Sequence, residues 1–452
     1  MSQSAEVRIW GTPVGQVVQD TPATPATWWY DEDFIARGIE LSPMMMPLNP
    51  RPYEFRQLDP GTFHWLPGLL SDSLPDTFGN AVLRAHVRSQ GRNPDAMTTV
   101  ERLLAVGNRG MGALTFHPAG DLPPATDGAL ELVTLARVAS DVLADRAQMQ
   151  RGLPADPKGG DYYSDLLAVA GSPGGARAKV LVAWNQDTGV LRPADTSTEP
   201  GYAEWLVKLD GVRGSGDHGL PDPQGYGRIE YAYWLMAREA GIAMTPARLI
   251  EEGGRAHFAT ERFDRIAGRG HAAGMIDRVH MQSLGALAHL DFRQPRVHGY
   301  EDAIDTANAL SLPIDAREQL VRTAAFNALT RNQDDHVKNI SFLMGRDGLW
   351  SLAPAYDLTY AYNPGGDWTA AHQMSINGKF EDFSHSDLMA LAQYAALPKP
   401  AARRVIDEVR QSVNSWLEHA GHAGVPEARA VQIRRAHRAL PPARTAGMTF
   451  VQ

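Results

Sequence analysis

The patterning of the chain changes from strand-like to helix-like near His271. Residues 164–267 alternate short apolar runs with turn signals, which is typical of β-strands. Beyond His271 the apolar residues recur at helical spacing, most clearly between Asp315 and Arg331. The chain is therefore expected to be rich in β-strands before this point and mainly helical after it.

The length of the chain predicts more than one domain. At 452 residues it exceeds what one core usually supports, and 43% apolar residues suffice for real cores. Pro, Gly and Asp cluster at residues 120–126, which suggests a boundary there. We therefore predict three segments, at residues 1–120, 121–270 and 271–452.

Composition limits the kind of protein. There are no cysteines, which excludes disulfides, thiolate metal sites and cysteine nucleophiles. No run approaches the roughly 20 apolar residues of a membrane span, and the N-terminus lacks the basic and hydrophobic regions of a signal peptide. We therefore expect a cytoplasmic protein with no membrane partner. The net charge of −9 argues against direct nucleic-acid binding by the chain as a whole.

Local patterns predict several elements of the first segments. Residues 7–19 read as a hairpin around a Gly-Thr-Pro turn. Asp76 is a suitable N-cap for a helix over about Thr77 to Val87, and a second helical pattern runs from Leu130 to about Arg151. The first segment is therefore expected to combine β-strands with helices.

The run RNQDDHVKN, from Arg331 to Asn339, combines residues suited to phosphoryl transfer. A carboxylate at Asp334 can orient an acceptor hydroxyl and take its proton. Asn339 and Asp357, the latter in the later run PAYDL, offer the amide and carboxylate oxygens that Mg²⁺ accepts beside phosphate oxygens. Protein kinases use the same Asp-x4-Asn spacing. The alternative is a polar loop in which Asp335 caps the backbone and His336 is solvated.

A glycine-rich loop precedes a strand-like run in the second segment. The loop extends from Gly171 to Ala178, and its backbone N–H groups could approach phosphate oxygens closely. It matches neither Walker A nor GxGxxG, and taken alone it is better explained as an ordinary hairpin turn with a few glycines. Lys208 lies in the apolar run EWLVKLDG, where a buried lysine needs an anionic partner. Strand alternation would alternatively place Lys208 on a solvated face.

A glutamate could partner this lysine. Glu230 lies at the start of a helical run that Gly241 terminates. It either orients Lys208 or stabilises the helix through its dipole. The following hairpin, around Glu-Gly-Gly, delivers Glu261 and Phe263 to an edge suited to an adenine, although ERFDR also reads as a plain charged strand end.

The helical segment is expected to carry the Asp334 loop. A helix over 315–331 ends just before that loop, and a hairpin around Arg346-Asp347-Gly348 is expected to return Asp357 toward Asn339. Apolar residues at helical spacing between Ala401 and Ala420 predict a buried helical stretch. Four arginines at positions 429, 434, 435 and 438 form a basic patch, which is typical of a solvated face.

Taken in order, these motifs resemble the HipA family of serine/threonine kinases, the toxins of bacterial HipBA-type toxin–antitoxin modules. The resemblance rests on GLLSDSLPDTFGNAVL and VGNRGMGALTFHP, then AGSPGGARAK, EWLVKL and ATERFDR, and finally QDDHVKN and APAYDL. It implies an α+β, kinase-like two-lobed fold: a β-rich N-terminal lobe with an extra N-terminal subdomain, a helical C-terminal lobe, and ATP between the lobes.

The resemblance also implies roles for individual residues. Asp334 resembles the catalytic aspartate, Asn339 and Asp357 the Mg²⁺ ligands, and Ser172 the autophosphorylation serine. The implied nucleotide-binding residues are Gly174, Gly175, Ala176, Arg177, Ala178, Lys179, Lys208, Glu261, Arg262, Phe263, His336, Lys338 and Tyr356. Ala178 replaces a proline common in one branch of the family, and Asp335 has no implied role.

The implied function is an ATP-dependent kinase toxin that phosphorylates a protein, in known examples an aminoacyl-tRNA synthetase, and itself at Ser172. A helix-turn-helix antitoxin (HipB-like) is the implied partner, with DNA reached only through it. Two alternatives remain open: a nucleotide-binding corepressor without phosphate transfer, and a small-molecule phosphotransferase. Phosphorylation of Ser172 would place negative charge beside the nucleotide and could silence the enzyme.

Overall fold

The computed structural model describes most of the chain. The described residues are 2–118, 129–149, 166, 169–170, 177–194, 201–212, 216–217, 220–221, 224–267 and 276–439. The chain divides into two compact units. Unit 1 comprises Met1–Tyr231, Thr245–Arg293 and Val337–Pro354, and unit 2 comprises Ala232–Met244, Gln294–His336 and Ala355–Gln452.

The strands fall almost entirely in unit 1. They are β1 (Gln3–Ile9), β2 (Thr12–Gln19), β3 (Thr27–Tyr30), β4 (Leu114–His117), β5 (Lys179–Asn185), β6 (Leu191–Pro193), β7 (Tyr202–Lys208), β8 (Gly216–Asp217), β9 (Leu220–Pro221), β10 (Ala247–Glu252), β11 (Arg255–Glu261), β12 (Arg265–Ala267), β13 (Ile276–Arg278), β14 (His280–Ser283), β15 (His298–Gly299), β16 (Ser341–Met344), β17 (Trp350–Leu352) and β18 (Met374–Ser375).

Helices occur in both units. They are α1 (Glu32–Arg37), α2 (Pro60–Phe63), α3 (Gly68–Ser71), α4 (Thr77–Ser89), α5 (Thr99–Val106), α6 (Leu132–Met149), α7 (Tyr226–Glu239), α8 (Leu284–Leu287), α9 (Tyr300–Ala309), α10 (Ile314–Thr330), α11 (His385–Tyr394), α12 (Lys399–Asn414), α13 (Trp416–His422) and α14 (Glu427–Ala436). Short 3₁₀ turns lie at Pro94–Ala96 and Val337–Asn339. None of the helices in the described ranges is long and apolar enough to cross a membrane.

Unit 1 contains two principal antiparallel sheets, each with its own core. The first has the order β3-β2-β1-β4, and its alternating residues bury side chains such as Val7, Val17 and Trp28. The second has the order β10-β11-β7-β5-β6. Its core combines strand residues such as Val180 and Trp205 with residues of α4 and α6. A smaller sheet, β14-β16-β17, completes the main strand pairings of this unit.

Unit 2 is mainly helical. The apolar face of α10 is buried along its length, and α12 buries Val405, Ile406 and Val409. The stretch predicted between Ala401 and Ala420 is helical but is interrupted at Ser415, which separates α12 from α13. Trp416 is fully buried just beyond the interruption, and its indole N–H donates to the carbonyl of Ala430 at 2.9 Å.

Several local predictions are confirmed. β1 and β2 form the expected hairpin, and Asp76 caps α4 by accepting from the amide of Gly79 at 2.6 Å. α10 ends at Thr330, directly before the Asp334 loop. The helix that carries Glu230 begins four residues earlier than predicted, at Tyr226. The predicted boundary at 120–126 lies outside the described residues.

Candidate functional site

Lys208 lies at the end of β7 and is paired with a buried carboxylate. Its Nζ lies 2.5 Å from Oε1 of Glu230, whose side chain is 3% exposed. A buried carboxylate without a partner would carry a large desolvation cost, so the two charges stabilise each other there. Phe258, opposite Lys208 on β11, borders the same cation with its ring centroid 5.9 Å from Nζ. The expected partnership between Glu230 and Lys208 is confirmed.

A buried lysine, Lys179, lies beside Lys208. Lys179 is the register partner of Lys208 on the neighbouring strand β5, so both side chains project to the same face of the sheet. Its Nζ lies 3.6 Å from Oδ2 of Asp76, the residue that caps α4. Burial raises the pKa of Asp76, and the positive charge of Lys179 opposes that rise. Lys179 therefore joins the sheet to the start of α4 in addition to any role with a ligand.

Only the end of the glycine-rich loop lies within the described chain. Ser172, Gly174, Gly175 and Ala176 lie outside it. Arg177 follows them, with its guanidinium 3.4 Å from the centroid of the Tyr226 ring and 4.0 Å from Oε2 of Glu230. Ala178 is buried, and its carbonyl accepts from the amide of Leu209 at 2.9 Å.

The segment predicted to hold adenine follows β11. Glu261 ends that strand, and burial raises the pKa of its carboxyl group. Arg262 points into the protein: it donates to Glu204 and, through two nitrogens, to Asp264. Because this guanidinium already meets two carboxylates, the backbone of 261–263 and the half-buried ring of Phe263 are the parts suited to contact a base.

Arg262 belongs to a buried cluster of four charges that the sequence did not reveal. Its members are Glu204, Arg262, Asp264 and Arg265, all with side chains at most 1% exposed. Asp264 also accepts from the amide of Gly112 at 2.7 Å. Burial would raise the pKa of Asp264, but Arg262 and Arg265 outweigh it and hold that pKa well below its usual range.

The same cluster fixes the VGNRGMG run of the N-terminal segment. Arg265 donates to the carbonyl of Gly112 at 2.9 Å and to that of Gly110 at 2.8 Å. Gly112 has a φ of +73°, a conformation that glycine adopts at little cost. These hydrogen bonds therefore hold the run and the segment around Arg262 together.

In unit 2, Asp334 lies in the loop after α10. Arg331 ends the helix in the left-handed conformation, with φ of +59°. The indole N–H of Trp368 donates to Oδ1 of Asp334 at 2.7 Å, and Nε2 of His336 lies 4.0 Å from the same oxygen. The Asp334 side chain is 17% exposed, so it remains reachable. Nothing in the spacing of the sequence indicated Trp368 as its neighbour.

Asp335, which had no implied role, is a structural acid. It accepts from the hydroxyl of Tyr300 at 3.0 Å, from the amide of Gln373 at 2.9 Å and from Nδ1 of His372 at 2.7 Å. Its side chain is 1% exposed. Asp335 therefore holds the segment around His372 against the loop that presents Asp334.

The two residues proposed as metal ligands fall in different units. Asn339 ends the 3₁₀ turn Val337–Asn339 of unit 1, whereas Asp357 belongs to unit 2. Asp357 has a φ of +55°, a left-handed conformation that Asp tolerates better than most residues. The side-chain Nδ2 of Asn332 donates to the backbone carbonyl of Asp357 at 3.2 Å.

The chemistry of these donors suits Mg²⁺ held jointly with phosphate. One amide and one carboxylate supply the hard oxygen ligands that Mg²⁺ prefers. Within the ranges that the structure describes, no group of three or more His, Cys, Asp or Glu residues is arranged to hold a metal by itself. A cation bound by either residue would therefore take further ligands from a nucleotide and water.

The remaining predicted residues are distributed over the same two units. Lys338, in unit 1, lies 3.6 Å from Oδ1 of Asp72, and its Nζ is 5.0 Å from the centroid of the Phe292 ring. Tyr356, in unit 2, precedes Asp357 and is half-buried. Unit 1 thus brings together Arg177, Lys208 and Glu230, and unit 2 brings together Asp334 and His336.

Comparison with known proteins identifies the class of protein. The family model of the HipA N-terminal domain matches residues 5–117, and that of the HipA-like C-terminal domain matches residues 171–417. Together they cover most of the chain. The chain belongs to the HipA family.

A solved structure confirms the fold. HipA of Shewanella oneidensis, taken from its complex with HipB and operator DNA, matches with a TM-score of 0.63 at 17% identity, covering 95% of this chain and 94% of that one. The predicted kinase-like α+β fold is therefore confirmed.

Two curated proteins of Sinorhizobium fredii (strain NGR234), Y4mE and Y4dM, are also similar, and their names provisionally call them kinases. Y4mE is 27% identical over 43% of this chain and 48% of its own length. Y4dM is 29% identical over 47% of this chain and 50% of its own length. The chain thus spans about half the length of the curated relatives it matches.

Proposed function

We propose that this protein is an ATP-dependent serine/threonine protein kinase that acts as the toxin of a toxin–antitoxin pair. The observation that carries the proposal is the ion pair between Lys208 and Glu230. Such a pair holds a phosphate-binding lysine in place in protein kinases. Together with Asp334 after α10, it supplies a cation for phosphate and a carboxylate for the acceptor.

Each residue has a separate task in the proposed reaction. Lys208 binds nucleotide phosphate oxygens, and Glu230 holds its ammonium group in position. The Asp334 carboxylate orients the acceptor hydroxyl and receives its proton. Trp368 fixes the rotamer of Asp334 by donating to Oδ1. Asn339 and Asp357 would each offer an oxygen ligand to Mg²⁺, which would supply positive charge to the phosphate oxygens.

We further propose a helix-turn-helix antitoxin as the partner. The relative from Shewanella oneidensis is found in a complex with HipB and operator DNA. With a net charge of −9, this chain would reach DNA through such a partner. A toxin of this kind acts in the cytoplasm, on a protein substrate and, by the family resemblance, on its own Ser172.

The test is phosphate transfer from labelled ATP by the purified protein with Mg²⁺ and cell lysate. Asp334→Asn removes the carboxylate that is proposed to orient the acceptor hydroxyl and receive its proton. Asp315→Asn is the matched control, because Asp315 is exposed at the start of α10, the helix whose end precedes the Asp334 loop. Ser172→Ala separates autophosphorylation from transfer to other proteins.

We expect label on proteins for the unchanged chain and for Asp315→Asn, and a loss of at least a hundredfold for Asp334→Asn. Nucleotide binding without transfer would refute the kinase and support a corepressor. Label confined to small metabolites would instead indicate a small-molecule phosphotransferase, the reading that the HipA N-terminal match disfavours.

A further inference from the structure

A cavity in unit 2 is lined by three arginines, and none of its lining residues is proposed for catalysis. It has a volume of about 410 Å³. Its lining residues are Leu329, Arg410, Val413, Asn414, Arg434, Arg438 and Ala439. No carboxylate is among these residues, so the lining carries three positive charges and no negative one. The volume falls in the range of sites for small molecules of nucleotide size.

The three arginines differ in how far their charge is compensated. Arg410 pairs with Asp407 on its own helix at 2.9 Å. Within the described part of the chain, Arg434 has no carboxylate partner. Arg438 donates through Nη1 to the carbonyl of Ala328 and to Nε2 of His372, and no described residue accepts from its buried Nη2.

Two neighbouring groups, Arg438 and His437, have pKa values that burial and nearby arginines lower. Burial lowers the pKa of Arg438 to about 10, and the neighbouring charge of Arg331 contributes to the decrease. Burial also lowers the pKa of His437 to about 3, again with contributions from Arg434 and Arg331. Asp335, Glu381 and Asp382 act on Arg438 in the opposite direction without reversing the shift. At the cavity itself, three guanidinium groups and no carboxylate leave an excess of positive charge that an anion would offset.

We propose that this cavity binds a phosphate-bearing anion of nucleotide or oligophosphate size. Guanidinium groups present N–H donors in a planar fork that matches phosphate oxygens. Three of them around one cavity favour a polyvalent anion over a single carboxylate.

Anion binding at this site can affect the loop that carries Asp334, because hydrogen bonds connect Arg438 to Asp335. Arg438 donates to Nε2 of His372 at 2.8 Å, and Nδ1 of His372 lies 2.7 Å from Oδ2 of Asp335. Because a guanidinium only donates, His372 accepts at Nε2 and donates from Nδ1 to Asp335. The backbone amide of Arg438 also donates to the carbonyl of Leu329, near the end of α10, at 2.8 Å. An anion that holds Arg438 therefore stiffens the contacts of Asp335.

Calorimetric titration of the full chain with inorganic pyrophosphate tests the site. All proteins carry Lys208→Met, which removes the lysine proposed to bind nucleotide phosphate and keeps this test independent of kinase activity. Arg434→Gln is the informative variant. Arg435→Gln is the control, because Arg435 is an exposed arginine on the same helix that does not line the cavity.

We expect Arg434→Gln to weaken pyrophosphate binding at least tenfold and Arg435→Gln to change it less than twofold. No binding, or equal weakening by both variants, overturns the site. Thermal melts without pyrophosphate verify that both variants fold.

Hydrogen exchange of the Gln373 amide, which donates to Asp335, tests the coupling. Pyrophosphate should slow this exchange in the Arg435→Gln protein and not in the Arg434→Gln protein. Binding without any change at Gln373 would refute the coupling and leave only a binding site.

Discussion

Asp264→Asn should be among the most destabilising conservative substitutions in unit 1. The Asp264 carboxylate accepts from two nitrogens of Arg262, from Arg265 and from the amide of Gly112, at 2.7 to 3.0 Å. The asparagine keeps the shape but loses the charge, and its amide N–H groups would face donors. Arg262 and Arg265 would then share only Glu204 as an anion.

Removing one member of a buried ion cluster typically costs about 3–5 kcal/mol, because the remaining charges stay buried without compensation. That cost corresponds to a rise of roughly a hundred- to several-thousand-fold in the unfolded fraction of the unit. Asp95→Asn is the matched control. Asp95 forms a 2.6 Å pair with Arg84, but its side chain is 71% exposed, so we expect a loss of about 0–1 kcal/mol.

Urea unfolding followed by circular dichroism measures the difference between the two variants. Hydrogen exchange resolved by mass spectrometry shows where in the chain the stability is lost. The Gly112 amide should exchange faster only in Asp264→Asn, because only that variant removes its carboxylate acceptor. Losses that agree within about 1 kcal/mol for the two variants would show that the cluster contributes no more than a surface pair, and would refute the reasoning.

The other predictions concern the candidate site. Lys208→Met should lower the single-turnover rate of phosphate transfer about a hundredfold, because it removes the phosphate-binding charge. Glu230→Gln should lower that rate only about tenfold, because it removes the carboxylate that positions Lys208. Equal effects of the two variants would contradict these roles. Trp368→Phe should lower kcat roughly ten- to a hundredfold with KM for ATP unchanged in steady-state assays, because it removes a hydrogen bond to an ionised group. A rise in kcat would show instead that the indole blocks Asp334. Asp335→Asn should destabilise unit 2 by about 2–4 kcal/mol in calorimetry, and an unchanged unfolding temperature would speak against its structural role.

Local sequence patterns predicted features whose partners lie close along the chain or follow a fixed spacing. The Asp76 cap was predicted because an N-cap acts on amides two or three residues away. The pairing of Lys208 with Glu230 was predicted because a strand lysine followed by an early helix acid is a familiar arrangement in kinase-like folds.

Contacts between distant residues were not predicted. Arg262 meets Glu204 across 58 positions and Gly110 across 152, and Trp368 meets Asp334 across 34. Neither distance nor orientation at such separations is encoded in local periodicity. Hence the sequence indicated Arg262 as a candidate nucleotide-binding residue but could not show that its guanidinium faces buried carboxylates.

The Asp264 carboxylate also contributes to the dependence of the stability of unit 1 on pH. The pKa of Asp264 in the folded state is held well below its usual value by Arg262 and Arg265. Its contribution is therefore complete above the unfolded-state value of about 3.9 and is lost as pH falls through and below it. The buried histidines His257 and His280, whose pKa burial lowers to about 4, lose their contribution earlier, between about pH 6.5 and 4. In urea unfolding, the gap between the unchanged protein and Asp264→Asn should stay constant from pH 7 to 5 and narrow by about 1 kcal/mol at pH 3. A gap that narrows already between pH 7 and 5 would mean that a histidine, not Asp264, is the group whose titration the substitution alters.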